Sequence, residues 1–272
     1  VSTATTLAFD RLAADYDALT AGEIFQALRG RVHGVYARQF APGSRVLEIG
    51  CGTGVDTHFL AAHGVRVVAC DPSEEMVSRT LRRLARAGLE RATSVVPCGL
   101  EDLESYLEAL GLPDTFDGIV SNFGALNCVA HLSPLAALAR RHLEPGGVVI
   151  LGLMTRVCAF ESLYFVATGR SRLARRRAGE GPVGVNVAGI EVPTYFHRIA
   201  DVRGALGPDL TLESIAGLGV IIPPPYLESR WLTLPRRARA LATTVDGWLA
   251  RCPPFNRVGD HVLLRFRKSA HA

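Results

Sequence analysis

The chain lacks any apolar run approaching the roughly 18 residues a helix needs to span a bilayer. Its first residues, VSTATTLAFDRL, lack the basic-then-apolar order of an export signal. No two of its six cysteines form a C-x-x-C pair. The expectation from these absences is a cytoplasmic protein with reduced thiols and no metal site. Internal repeats and low-complexity linkers are absent too. The net charge of +4 is too mild to imply a nucleic-acid partner by itself. What is present is core material: 48% of the 272 residues are hydrophobic, which excludes a disordered chain.

The first 150 residues alternate β-branched runs with helix-like stretches. Strands are expected at 45–49, 65–70, 93–97, 118–121 and 148–153, with helices at 73–87 and 134–142. LEPGG at 143–147 reads as a helix stop and turn. This alternation predicts an α/β fold, a parallel sheet with helices on both faces. The second half reads differently. Residues 160–177 look helical. Strands at 183–187 and 191–197 flank Ala188-Gly189, a hairpin signal. Asp201 is a plausible cap for a helix at 201–206. Segments 210–222 and 261–267 suit a last antiparallel pair. The whole reads as one domain with insertions at 155–198 and 223–257.

VLEIGCGTG (46–54) places glycines between a strand and a helix, where backbone N–H groups meet a ligand. The dinucleotide pattern is G-x-G-x-x-G, but Val55 stands where its third glycine belongs. Glu48 in the strand would repel a pyrophosphate and suits a ligand bearing an ammonium group. Both speak against a dinucleotide oxidoreductase.

Here the chain resembles the class I S-adenosylmethionine-dependent methyltransferases. VLEIGCGTG is similar to their first motif. VVACDPSEEM (67–76) is similar to the second, VVPCGLEDL (95–103) to the third, FDGIVSNFGALN (116–127) to the fourth, and LEPGGVVIL to the fifth. FDRLAADYD (9–17) resembles their lead-in helix. The resemblance covers residues 7–153 in order. It implies a doubly wound seven-stranded sheet, mostly parallel with the last strand antiparallel, under lid insertions. It also implies S-adenosyl-L-methionine as cofactor. Its binding residues would be Tyr16, Glu48, Gly50, Cys51, Gly52, Gly54, Asp71, Pro72, Met76, Leu100, Glu101, Asn122 and Phe123. Asp71 would accept from the ribose hydroxyls. Gly99 stands where the family often has an acid, so Glu101 or backbone would hold the adenine amino group. Asn122 would line the methyl-transfer site, against a backbone-capping role.

Methyl transfer needs a base only when the acceptor must lose a proton. Tyr195 and His197 in PTYFHR (193–198) share one face of the expected strand, so His197 is the candidate base and Tyr195 an orienting group. His33 and His131 are weaker candidates. Aromatics of the insertions (Phe160, Tyr164, Phe165, Tyr195, Phe196, Tyr226 and Trp231) suit an acceptor pocket. Cys51, Cys70, Cys98 and Cys128 fall near strand ends, as small fillers or as soft-metal thiols. The five arginines of RSRLARRR (170–177) read first as a solvated face, then as a site for an acidic substrate or nucleic acid. Three functions stay open: methylation of a small molecule at oxygen, nitrogen or carbon, methylation of RNA or protein, and cofactor binding without transfer. The large lid favours the first.

Overall fold

The computed structural model describes residues 1–270 apart from positions 114 and 180. In chain order the helices are α1 (Thr3–Leu19), α2 (Glu23–Gln39), α3 (Val55–Ala62), α4 (Glu74–Ala87), α5 (Leu103–Ala109), α6 (Ser133–His142), α7 (Ala159–Ala167), α8 (Ser171–Ala174), α9 (Ile199–Leu206), α10 (Glu228–Trp231) and α11 (Arg236–Leu249). The strands are β1 (Arg45–Ile49), β2 (Arg66–Cys70), β3 (Thr93–Val96), β4 (Phe116–Ser121), β5 (Leu143–Met154), β6 (Val183–Val187), β7 (Ile190–Thr194), β8 (Leu210–Leu218) and β9 (His261–Lys268).

Seven strands form one sheet in the order β3-β2-β1-β4-β5-β9-β8. The first five run parallel, and β9 is antiparallel to both β5 and β8. This is the α/β sheet expected from the sequence. Alternation along the strands divides the core in two. Val46, Val67, Val120 and Ile150 face the apolar side of α2 (Ile24, Leu28, Val32, Tyr36). Leu47, Val68, Ile119 and Leu151 face α5, α6 and α9. Both faces of the central strands are covered, which is why their sequences read as nearly unbroken apolar runs.

α4 illustrates how local sequence sets an element. Ser73 caps it by accepting the Met76 N–H at 3.1 Å. Glu74 and Glu75 sit in its first turn, and Gly88 ends it in the left-handed region. Its buried side is Met76, Val77, Thr80 and Leu84.

The second half departs from the expected bounds. The helix expected over 160–177 is interrupted: Gly169 turns to φ +72°, and the Arg170 N–H closes back on the Phe165 carbonyl. Asp201 is not the cap of α9. Arg198 occupies that position, and the Asp201 carboxylate, one turn in, accepts the Arg198 N–H at 3.3 Å. LEPGG does not end before the fifth strand but forms its start, across a register shift between Phe116 and Gly118. β8 stops at Leu218, where the chain turns through Gly219 at φ +70°. The hairpin β6–β7 forms as expected, with Ala188 and Gly189 both at positive φ. It ends at Thr194, so residues 195–197 lie beyond the strand. β7 packs on α1, and this pair roofs the carboxyl ends of β1, β2 and β4.

Candidate functional site

The carboxyl ends of parallel strands in an open α/β sheet leave a crevice where the strand order reverses, here between β1 and β4. A cavity lies there, walled by the loops after β1, β2, β3 and β4, by α1, and by the β6–β7 hairpin. Three glycines shape its floor for three reasons. Gly50, at φ +75°, lies against Ala125, whose Cβ an added Cβ would meet at 2.3 Å. Gly54, at φ +76°, caps α3, where an added Cβ would come within 2.6 Å of Thr80. Gly52, at φ +56°, lines the cavity, and its missing Cβ would meet no protein atom within 4 Å. The space in front of Gly52 is open cavity.

Asp71 ends β2 and is nearly buried. Its Oδ2 accepts the Gly52 N–H at 2.9 Å and its Oδ1 the Ser73 N–H at 3.0 Å. Burial outweighs those bonds and pushes its carboxyl up to about 6. Two N–H bonds leave lone pairs for further donors, as a ribose diol would supply. Met76 and Leu100 add a buried apolar wall, and Pro72, Tyr16, Asn122 and Phe123 complete the lining among the sequence candidates. Burial raises the Tyr16 phenol, so it stays protonated. These residues fit S-adenosylmethionine: open backbone for the amino-acid chain, a carboxylate for the ribose, apolar walls for the base.

Four other candidates lie outside this lining. Glu48 sits behind the loop, 4% exposed, and its Oε2 accepts the Thr57 hydroxyl at 2.6 Å. Burial and the nearby Asp56 charge raise its carboxyl to about 8. Cys51 turns under the loop, its Sγ 3.8 Å from the Thr80 hydroxyl. Gly54 serves the packing just described. Glu101 pairs with the Val1 amino group at 3.0 Å.

The proposed base and its partner are placed elsewhere as well. His197 Nε2 lies 3.0 Å from the Val129 carbonyl and 3.3 Å from that of Leu126. Two carbonyls require that nitrogen to carry the proton and donate it, so it is committed to holding the 125–129 turn. The Tyr195 N–H donates to the Asn127 carbonyl at 2.7 Å, and neither side chain lines the cavity. His33 is 2.9 Å from Asp56 and stacks on Phe59, and His131 is exposed. None of the expected aromatics lines the cavity. Phe165 and Tyr226 lie under Arg176, Phe196 under Arg177, and the Trp231 indole faces Glu23.

Several residues that shape the cavity were not among the sequence candidates. Asp10 and Asp17, one heptad apart on α1, share a face. Asp10 accepts the Ser73 hydroxyl at 2.5 Å, and Asp17 accepts the Thr53 hydroxyl and Arg83, each at 2.6 Å. They pin α1 to two cofactor loops. Their spacing was visible in FDRLAADYD. Asn127, fully buried, accepts the Met154 N–H at 2.9 Å and donates to the Tyr195 carbonyl at 2.7 Å, tying the lid to the sheet. Val185, Val187 and Val192 form the roof, a period-two pattern legible in the hairpin sequence.

Behind the cavity, Asn122 donates to Asp56 at 2.7 Å and accepts the Phe123 N–H at 2.9 Å, which holds Phe123 at φ +45°. The Arg29 guanidinium stacks 4.9 Å from that ring and stands 3.5 Å from Asp56. Burial raises the Asp56 carboxyl, but His33 and Arg29 outweigh it and hold it below its usual range.

Of the five arginines at 170–177, two are spent structurally. Arg177 pairs with Glu161 and Asp260, and Arg176 with Glu161 at 3.0 Å. Tyr226 donates to the same Glu161 at 2.7 Å, joining the two insertions. All six cysteines are free, and Cys70, Cys98 and Cys128 line the cavity. Among the described residues no cluster of His, Cys, Asp or Glu is arranged to hold a metal, and no helix is long and apolar enough to cross a membrane.

Residues 47–149 match the family model described as a methyltransferase domain. A demethylmenaquinone methyltransferase from Clavibacter sepedonicus is 37% identical over 119 residues, 42% of this chain and 43% of that protein. The chain thus spans about half the length of the curated relatives it matches. Among solved structures, the [4+2]-cyclase SpnF superposes with a TM-score of 0.61 at 15% identity, covering 97% of this chain and 95% of that one. Geranyl diphosphate C-methyltransferase from Streptomyces coelicolor A3(2), solved with Mg2+, geranyl diphosphate and S-adenosyl-L-homocysteine, gives 0.54 at 15% identity, over 90% of this chain and 81% of that one.

Proposed function

We propose, from the match of residues 47–149 to a methyltransferase domain, that this chain uses S-adenosylmethionine to methylate a small apolar acceptor without a side-chain base. The observation that carries this reading is the lining away from the glycine loop: Phe9, Leu126, Val129, Val185, Val187 and Val192. Apart from thiols, the lining holds only Asp71 and Tyr16 as acid or base side chains. Burial pushes the Cys128 thiol up to about 11, so it stays protonated, while the hydrogen bond from Cys70 holds the Cys98 thiol below its ordinary value.

Bound S-adenosylmethionine supplies a sulfonium methyl, an electrophile that needs no activation by the protein. The chain's own part is to align the acceptor and keep water out. Asp71 holds the ribose, and the open backbone at Gly52 faces the amino-acid chain. Met76 and Leu100 flank the base. Tyr16 stays neutral and can donate a hydrogen bond. The valine roof and Phe9 desolvate the acceptor. An acceptor that already presents a lone pair, or ionises in solution, fits this pocket; a hydroxyl needing a strong base does not. Because one relative is a demethylmenaquinone methyltransferase, quinols are the first acceptors to try. RNA fits less well, since Arg176 and Arg177 are occupied by carboxylates.

The test is calorimetric titration with S-adenosylhomocysteine and with NAD, followed by labelled methyl transfer to apolar quinols, amines and RNA. Binding of the first nucleoside alone, with label entering a small apolar acceptor, supports the reading. Preference for NAD, or label entering RNA alone, overturns it. Tight binding with no transfer to any acceptor would instead favour a function without methylation, as the similar fold of a cyclase allows.

A further inference from the structure

We propose that the outer face of α11 and the turn after it dock on an anionic lipid membrane. Leu241, Val245 and Trp248 follow one another in α11 at spacings of four and three, so they share one face of the helix as a ridge, and Leu234 before it and Phe255 after it are exposed as well. The ridge points to solvent: Leu241 is 65% and Trp248 69% exposed. The helix cannot roll to hide it. Asp246, on the opposite side, is fully buried, pairs with Arg31 of α2, and accepts the N–H groups of Ile221 and Ile222 at 2.6 and 3.1 Å. The apolar face is therefore outward by construction.

The segment that carries the ridge is basic. Residues 223–257 hold six arginines and two acids. One acid is Asp246. The other, Glu228, turns to the start of α2 and accepts the Ile24 N–H at 3.4 Å. The neighbouring Glu23 of α2 is taken by Arg239 at 3.0 Å. Arg237, Arg251 and Arg257 are exposed and form no ion pair among the described residues. Arg237 lies in the first turn of α11 and Arg251 just beyond its end at Leu249. A second copy laid along this face would bring like charges together. An exposed apolar ridge that carries an indole, with arginines at its two ends, matches the interfacial layer of a bilayer with anionic headgroups. This inference is independent of methyl transfer.

The test uses the full chain with Trp231→Phe, which leaves Trp248 as the sole tryptophan. Vesicles of phosphatidylglycerol and phosphatidylcholine are compared with phosphatidylcholine alone. The expected result is co-sedimentation and a blue-shifted emission with the anionic vesicles, weakened at 0.5 M salt. Leu241→Glu should lower that binding at least tenfold while S-adenosylhomocysteine affinity is unchanged. The proposal is overturned by absence of binding, by equal binding to neutral vesicles, or by equal binding of Leu241→Glu. A dimer in solution that Leu241→Glu dissolves would overturn it too, because a second copy would then cover the ridge.

Discussion

The half of this molecule that carries the glycine loop and the segments after β5 are held by different means. From β1 to β4 the decisive contacts are backbone to carboxylate or backbone to glycine: Asp71 on two N–H groups, Gly50 against Ala125, Ser73 on its helix. In the insertions they are side chain to side chain: Arg177 between Glu161 and Asp260, Tyr226 on Glu161. Backbone chemistry forces particular residue types at fixed spacings. Side-chain networks can be built from many sequences. The difference explains why motifs cluster in one half, and each half fails differently when cut.

The largest effect should come from the segments after β5. Burial would raise the Asp260 and Glu161 carboxyls, but their cationic partners outweigh it and hold both below their usual range. Arg177→Met leaves two buried carboxylates short of a partner, and such losses cost about 3–5 kcal/mol. Denaturant unfolding should show that loss, and proteolysis should open 155–198 first. An unchanged unfolding midpoint would mean that these segments are held by apolar packing alone.

Next comes the half with the glycine loop. Asp71→Ala should weaken S-adenosylhomocysteine at least about 100-fold, near 2.7 kcal/mol, by calorimetric titration. Gly52→Val should do the same by filling the open space in front of it, with a further ~1–2 kcal/mol of stability lost to its left-handed backbone. Near-normal affinity in Asp71→Ala would move the nucleoside away from β2.

These two experiments also separate what the sequence made legible from what it did not. The sheet, the glycine loop, Asp71 and the hairpin at Ala188-Gly189 follow from strand pattern and backbone need, and sequence carries both. Glu48 reads as a ligand contact by its pattern, whereas in the structure its carboxyl lies on Thr57, outside the cavity lining. The insertion aromatics were misread because aromatic content does not say which face they cover. Arg176 and Arg177 took several of those rings as cation–π partners. The roof came from valines, which carry no chemical signature beyond their period.

Glu48 gives a pH test of the same contrast. Its carboxyl is raised to about 8 from an ordinary value of 4.5, so the fold holds the protonated form. Its stabilisation is complete below about 4.5 and is lost as pH rises through 8. Asp71, raised to about 6, adds a slope of the same sign at lower pH. Glu48→Gln keeps the neutral shape and removes most of the slope. Between pH 5 and 8 its melting temperature should fall less than that of the parent, with a gain of about 1–3 kcal/mol at pH 8. Its affinity for S-adenosylhomocysteine should stay within about threefold, unlike that of Asp71→Ala. A large loss of affinity would restore Glu48 to the ligand's side of the loop.

The smallest effect is expected where a base was first sought. His197 donates from Nε2 to two backbone carbonyls and faces away from the cavity. Asparagine can offer an N–H to the same carbonyls, whereas phenylalanine cannot. His197→Asn should leave the pH profile of methyl transfer unaltered. His197→Phe should cost about 1 kcal/mol of stability, the net worth of a neutral hydrogen bond, with the profile again unaltered. A proton-transferring histidine predicts the opposite: both variants would lose the same acidic limb, and the asparagine would rescue nothing. Rescue of stability without any change in the limb would therefore place His197 among the structural fastenings and leave the acceptor to find its own proton sink.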